Sequence, residues 1–259
     1  MQLELEKLIG LHISSGKPEL FLEHNRNNDI RIFQTFITTK VENSVFLDVE
    51  HQMFVHGPYW SNLVKDYNDK KAITWKYIKF LISRIYFYAK HGRKLQLVTH
   101  LGAGYPGDSI ENKENRLKEN IKRLTNLDQD FLLLLETTAG SKKGINFNFE
   151  IINELVEEIN DERVKICVDS EHMYANGEIA PDDWSNVRLL HMNSIPEKVE
   201  FGSHIDRHSD CLLSESKEIN MLINDYFLPA IKNNIPIIFE RKTVEMQLED
   251  KNFIMRKVL

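Results

Sequence analysis

The sequence predicts an α/β fold, a single (β/α)8 TIM barrel over residues 1–259 with a metal site at the C-terminal face of its strands. Short β-branched and apolar runs alternate with segments of helical periodicity, the pattern of βαβ units and a parallel sheet. There are eight such runs, the number that closes this barrel. The length is close to that of a typical barrel, and no internal repeat or Pro/Gly/Ser-rich linker divides the chain.

Strands are expected at 8–14 (LIGLHIS), 31–38 (RIFQTFIT), 52–56 (QMFVH), 94–100 (KLQLVTH), 130–136 (DFLLLLE), 163–169 (RVKICVD), 187–192 (VRLLHM) and 235–240 (IPIIFE). Between them, Thr74 is placed as the cap of a helix that turns Ile78, Leu81, Ile85 and Ala89 inward and stops near Gly92. Leu117, Ile121 and Leu124 mark a second helix, and Ile151, Leu155 and Ile159 a third. Residues 218–233 read as helical, with Pro229 expected to kink the helix or end it early. Residues 243–259 read as the closing helix, and helices after strands one, two and six are expected to be short or irregular.

With 42% hydrophobic and 28% charged residues the composition is that of an ordinary globular protein. No window approaches the roughly 18 apolar residues of a membrane span. The start MQLELEKLIG also lacks the zones of a signal peptide, so a soluble, intracellular protein that engages no membrane is expected. Cys167 and Cys211 show no C-x-x-C spacing, which excludes a thiolate zinc ribbon, and Cys167 in VKICVDS is expected as a buried small side chain. A formal net charge of −6 argues against nucleic-acid binding through bulk basicity, although bound divalent ions would add positive charge locally.

In a (β/α)8 barrel, functional side chains gather at the C-terminal ends of the strands. Here His56 ends strand three, His100 strand four, Glu136 strand five, Asp169 strand six, His191 strand seven and Glu240 strand eight. Two short motifs follow strands six and seven, D-x-x-H in Asp169–His172 and D-x-H in Asp206–His208. A single histidine or carboxylate at a strand end is commonly structural; all of these converging on one rim point to metal. Imidazole and carboxylate donors without thiolate suit zinc, with manganese or iron as alternatives at one site, and nine ligands are too many for one tetrahedral ion. Divided among about three ions they leave positions open for water and substrate, an arrangement suited to phosphodiester hydrolysis.

At these residues the sequence resembles the endonuclease IV family of apurinic/apyrimidinic endonucleases. HMNSIPEKVEFGSHIDRH (191–208) is similar to the family's H-x-N-D followed by F-G-S-x-x-D-R-H, and CVDSEHMYANG (167–177) to C-x-D-T-x-H-x-x-A-x-G. LLETTAG (134–140) resembles E-N-T-A-G, and LIGLHISSG, FVHGPYW, VTHLGAG and IFE match weaker blocks in order. The resemblance implies that His56 and His100 hold one zinc with Glu136, which bridges to a second held by Asp169, His191 and Glu240; His172, Asp206 and His208 would hold a third. Glu136 or Glu240 would orient the attacking water. The implied partner is double-stranded DNA containing abasic sites, cut by a monomer to leave a 3′-hydroxyl and a 5′-deoxyribose phosphate.

Tyr59 and Trp60 occupy positions where family members place side chains that enter DNA, and the two either stack on bases or cover the barrel rim. Arg207 either contacts phosphate or serves as a salt-bridge partner. His12 in GLHIS reads either as a rim residue or as a packed histidine, and His24, His51, His91 and His204, without motif support, as surface residues. The chain departs from the family at FITTKVENS, which lacks an Asn/Arg/Trp run, at Ser194 in place of Asp, at SDCLLSES without glycine, and at HLG in place of H-P-G. These changes spare the metal ligands and are expected in DNA-facing loops. Two rivals share the fold: a sugar isomerase or epimerase of the xylose isomerase-like barrels, which needs one or two metals, and a non-catalytic DNA-binding descendant, whose sign would be lost ligands.

Overall fold

Eight parallel strands close into a barrel in sequence order: β1 (Ile9–Ile13), β2 (Ile32–Phe36), β3 (Gln52–His56), β4 (Leu95–His100), β5 (Phe131–Glu136), β6 (Val164–Asp169), β7 (Val187–His191) and β8 (Ile237–Phe239), which pairs back onto β1. The computed structural model describes residues 7–13, 30–37, 51–140, 147–207 and 210–259. His24, the loop expected after the second strand, and His208 lie outside the described residues. All eight expected strands are present, most of them slightly trimmed at their ends.

Successive side chains point to opposite faces of a strand, and this alternation sorts the apolar residues into two cores. Outward-facing Leu133, Leu135, Ile166 and Val168 share a core with helical Leu117, Ile121 and Leu155. Inward-facing Ile32, Phe54, Val98, Leu134, Cys167, Leu189 and Ile238 fill the barrel interior, so Cys167 is the buried small side chain expected. From β1 this layer receives Gly10, where a Cβ would lie 2.6 Å from the Ile32 carbonyl oxygen and 2.7 Å from Ile238 Cδ1.

Helix α1 (Thr74–Lys90) buries Tyr77, Ile78, Leu81 and Ile85, while Ala89 is only half-buried. Ile73, not Thr74, occupies the cap position, and the Thr74 hydroxyl, already inside the helix, donates to Asn62 Oδ1, 3.2 Å away. Ser109 accepts the Asn112 N–H to start α2 (Ile110–Thr125), which buries Leu117, Ile121 and Leu124 as the spacing predicts. In α3 (Phe149–Ile159) the buried face is Ile152, Leu155 and Val156; adjacent apolar pairs made the Ile151/Leu155/Ile159 stripe equally plausible, and tertiary packing selected its neighbour. After β6 comes a short helix, α4 (Ser170–Asn176), as expected.

The run from 219 to 232 consists of α5 (Ile219–Met221), a π-helical stretch (Leu222–Phe227) and α6 (Leu228–Lys232). Pro229 does not end it early. The wider turns just before the proline set it in the first turn of α6, where its missing N–H removes no α-helical bond. Thr243 accepts the Met246 N–H to cap α7 (Val244–Val258), the closing helix. Among the described residues no helix is long and apolar enough to cross a membrane.

Candidate metal centre

Two residues beyond the apolar floor, each strand points a second side chain the same way. Gly10, Ile32, Phe54, Val98, Leu134, Cys167, Leu189 and Ile238 are thereby followed by His12, Gln34, His56, His100, Glu136, Asp169, His191 and Glu240. Lateral pairing sets several of these side by side: His12 with Gln34, His100 with Glu136, and Asp169 with His191. Glu240 lies one residue past the end of β8, and the others lie within their strands.

Among the described residues three groups of donor atoms, each within 4.8 Å of one another, result: His56, His100 and Glu136; Glu136, Asp169, His191 and Glu240; and Asp169, Glu171 and His172. Glu136 joins the first two through opposite oxygens. Its Oε2 lies 3.2 Å from both His56 Nε2 and His100 Nδ1, and its Oε1 lies 3.0 Å from His191 Nδ1. Asp169 joins the second group to the third. One of its oxygens, Oδ1, caps α4 by accepting the N–H groups of Glu171 and His172, which is the physical meaning of the D-x-x-H spacing. The other, Oδ2, faces the centre and accepts from Asn193 Nδ2 at 2.6 Å.

Protein oxygens fix the tautomers of three histidines. His56 Nδ1–H donates to the Gly57 carbonyl at 2.8 Å and His172 Nδ1–H to the Thr137 carbonyl at 2.9 Å. His191 Nε2–H donates to Gln34 Oε1 at 2.9 Å. In each case the remaining nitrogen turns toward carboxylate: His56 to Glu136, His191 to Glu136 and Glu240, and His172 Nε2 to Asp206 Oδ2 at 3.4 Å. A histidine whose outer N–H is held by oxygen presents an unprotonated nitrogen to a metal, so the donor set fits divalent ions.

Without an ion, the same proximity reshapes the titrations. Burial opposes charge on His56, yet Glu136 and then Glu240 outweigh it and push its pKa up to about 9. His191 and His172 also move up against their burial, His191 mainly through Glu240 and Glu136, His172 mainly through Asp169 and Asp206. Burial wins at His12 and His100, which move down. Glu240, despite burial, is held well below the usual carboxylate range by His191 and His12, and Glu136 likewise by His100 and His56.

Of the nine expected ligand residues, the six at strand ends share two adjoining groups, and His172 and Asp206 face each other beside them. Supporting residues that the sequence reading missed are Gln34, Asn193, Arg241 and Gln247. Fully buried Gln34 donates to Glu240 Oε1 at 2.6 Å and contacts His12 Nδ1 at 2.9 Å. Asn193 also reaches Glu240 Oε2 at 3.2 Å, and Arg241 holds Asn193 Oδ1 while pairing with Asp250 at 2.6 Å. The Gln247 side chain of α7 brackets His12, its Oε1 accepting the His12 backbone N–H and its Nε2 donating to the His12 carbonyl. The inward period would have pointed to Gln34 and the H-x-N spacing from His191 to Asn193; no local spacing marks Arg241 or Gln247.

Glu171 was also missed. It is fully buried, its Oε1 accepts the Arg207 backbone N–H at 3.0 Å, and burial followed by the neighbouring Asp169 pushes its pKa up to about 7. Ser194, expected in a DNA-facing loop, is instead buried, its hydroxyl donating to the Cys211 carbonyl at 2.8 Å. His51 and His204, read as surface residues, are half-buried, and His204 reaches the Ala139 carbonyl at 3.0 Å. Tyr59 is 85% exposed and projects from the rim near Phe36, whereas Trp60, 39% exposed, packs its ring against Tyr77 and Phe80. Arg207 is exposed.

Fold and site together define an α/β barrel with a metal-capable centre at its strand ends. The family model described as Xylose isomerase-like TIM barrel matches residues 47–212, and the chain belongs to that family. A Mycoplasmopsis synoviae protein named "Probable endonuclease 4" is 27% identical over 92% of this chain and 93% of its own. Endonuclease IV from Thermus thermophilus superposes with a TM-score of 0.70 at 19% identity, covering 96% of this chain and 97% of that one. A D-tagatose 3-epimerase-like protein gives a TM-score of 0.67 at 13% identity over 95% and 96% of the two chains, so likeness of fold does not separate the chemistries.

Proposed function

We propose that this protein is a zinc-dependent apurinic/apyrimidinic endonuclease of DNA base-excision repair. It hydrolyses the phosphodiester 5′ to an abasic site in double-stranded DNA, leaves a 3′-hydroxyl, and also trims blocked 3′ ends. The observation that carries this reading is the chain of three adjoining donor groups, linked by Glu136 and Asp169. The middle group alone, Glu136, Asp169, His191 and Glu240, would serve the one- or two-metal chemistry of a sugar isomerase or epimerase; the groups on either side of it favour the nuclease. The endonuclease 4 name of a relative aligned along nearly the whole chain supports the same reading.

In this reading His56, His100 and Glu136 hold one ion, Glu136, Asp169, His191 and Glu240 a second, and His172, Asp206 and His208 a third. Zinc ions bound there supply Lewis acidity and activate water for in-line attack on phosphorus. Glu240 stays ionised at neutral pH and, at the mouth, orients the attacking water. Gln34 and Asn193 hold its two oxygens in place. Glu136, buried between three imidazoles, would offer one oxygen to each of the first two pockets. Tyr59, the more exposed of the rim aromatics, reaches toward the DNA with Arg207, and Trp60 braces the loop between them and α1.

The test is incision of a duplex carrying one tetrahydrofuran abasic site, beside its undamaged counterpart and a ketohexose epimerisation assay, with metal content measured by mass spectrometry. Cleavage 5′ to the lesion at near three metals per chain is expected, and Glu240→Gln keeps the fold but loses the cleavage. Epimerisation without incision would transfer the site to sugar chemistry.

A further inference from the structure

Within α4, between the two ligands of the D-x-x-H motif, lies a carboxylate that the proposed mechanism does not use. Glu171 is fully buried, and its Oε2 has no hydrogen-bond partner among the described residues. A buried carboxylate oxygen facing no donor is costly unless a cation sits against it. Its donor atom lies within 4.8 Å of those of Asp169 and His172. Its other oxygen holds the backbone N–H of Arg207, the residue next to Asp206, so the carboxylate stands against the segment that completes the third pocket. His172 presents Nε2 toward Asp206 Oδ2 at 3.4 Å, its Nδ1–H being fixed by Thr137.

We propose that Glu171 is a protein ligand of the third ion, adding a second carboxylate to a pocket that would otherwise hold one carboxylate and two imidazoles and so biasing it toward manganese. This rests on the reading of His172, Asp206 and His208 as a metal site. Carboxylate donors suit Mn2+ better than imidazole-rich sets do, so the added carboxylate raises manganese affinity relative to zinc without reversing the general order of affinities. Glu171 then has two tasks, one per oxygen: Oε1 anchors the Asp206–Arg207 segment, and Oε2 meets the ion.

The two tasks separate by mutation. Glu171→Gln keeps an oxygen for the Arg207 N–H but removes the charge, whereas Glu171→Ala removes both. The full chain, with its first two pockets filled with zinc, is titrated with Mn2+ and followed by electron paramagnetic resonance; zinc is titrated in parallel, and thermal melting checks the fold. The expected result is a loss of at least tenfold in Mn2+ affinity in both variants, larger than the loss for zinc. If Glu171→Gln binds Mn2+ like the wild type and only Glu171→Ala is impaired, Glu171 is a loop anchor and the assignment is overturned. That outcome leaves the endonuclease reading standing, since incision of abasic duplex tests it independently.

Discussion

Gln34→Leu is expected to weaken the centre from its floor without opening the barrel. The glutamine is fully buried, and leucine fills nearly the same volume, so packing changes little. Three contacts disappear: the bond to Glu240 Oε1 at 2.6 Å, that to His12 Nδ1 at 2.9 Å, and acceptance of the His191 Nε2–H at 2.9 Å. A buried N–H left unpaired costs about 1–3 kcal/mol, and a hydrogen bond to a charged carboxylate contributes about 1.5–3 kcal/mol. His12 Nδ1 keeps Glu240 Oε1 as a partner at 3.3 Å, so the metal-free fold loses about 3–6 kcal/mol in all. Released from Gln34, the His191 ring can also take the wrong tautomer, and loss of such an outer partner lowers metal affinity by about 10–100-fold. Chemical denaturation of the metal-free proteins and zinc competition against a chromophoric chelator read the two effects. Stability within about 0.5 kcal/mol of wild type, together with unchanged zinc affinity, would refute the reasoning.

Gly10→Ala places a methyl group 2.6 Å from a backbone oxygen that cannot move aside, and a destabilisation of about 3 kcal/mol or more is expected by denaturant titration; a neutral result would mean that the barrel floor yields. A His56 pKa of about 9 means that below that pH a proton must leave before the ring can bind metal. Zinc affinity of the His56 pocket should therefore rise about tenfold per pH unit between roughly 6 and 8 and fall equally as pH drops, and a flat isothermal-titration profile would contradict this. Trp60→Ala should cost about 1–2 kcal/mol of stability by loss of ring packing, whereas Tyr59→Ala should leave melting unchanged and weaken binding to abasic duplex more than to intact duplex, measured by fluorescence anisotropy.

The strand ends were legible because two simple signals coincide in them. A β-branched or leucine-rich run names the strand, and a histidine or carboxylate closing it stands out against an apolar background, as in FLLLLE ending at Glu136 or QMFVH ending at His56. Gln34 breaks no such background: it sits mid-strand in IFQTF, and only its register two residues beyond Ile32 marks it as facing inward. Asn193 stood in a motif that named no role for it, and Arg241 and Gln247 matter through contacts with partners 48 and 235 residues away in sequence that no local window reports. Thr74 misled because a threonine before an apolar stripe reads as a cap, while the helix starts one residue earlier, with Ile73 in the cap position. Pro229 misled because a proline inside helical periodicity ordinarily stops a helix, and the π-helical stretch that absorbs it has no sequence signature of its own. Ser194 was placed by its motif in a DNA-facing loop, but motif position says nothing of burial.

The most direct test of the account is anomalous X-ray scattering at the zinc edge from crystals of the zinc-loaded protein. The account predicts separate peaks on the two sides of Glu136, one against His56 and His100 and one among Asp169, His191 and Glu240, with a further peak beside His172. A single peak confined to the middle group would contradict the multi-metal reading and return the barrel to one-metal sugar chemistry.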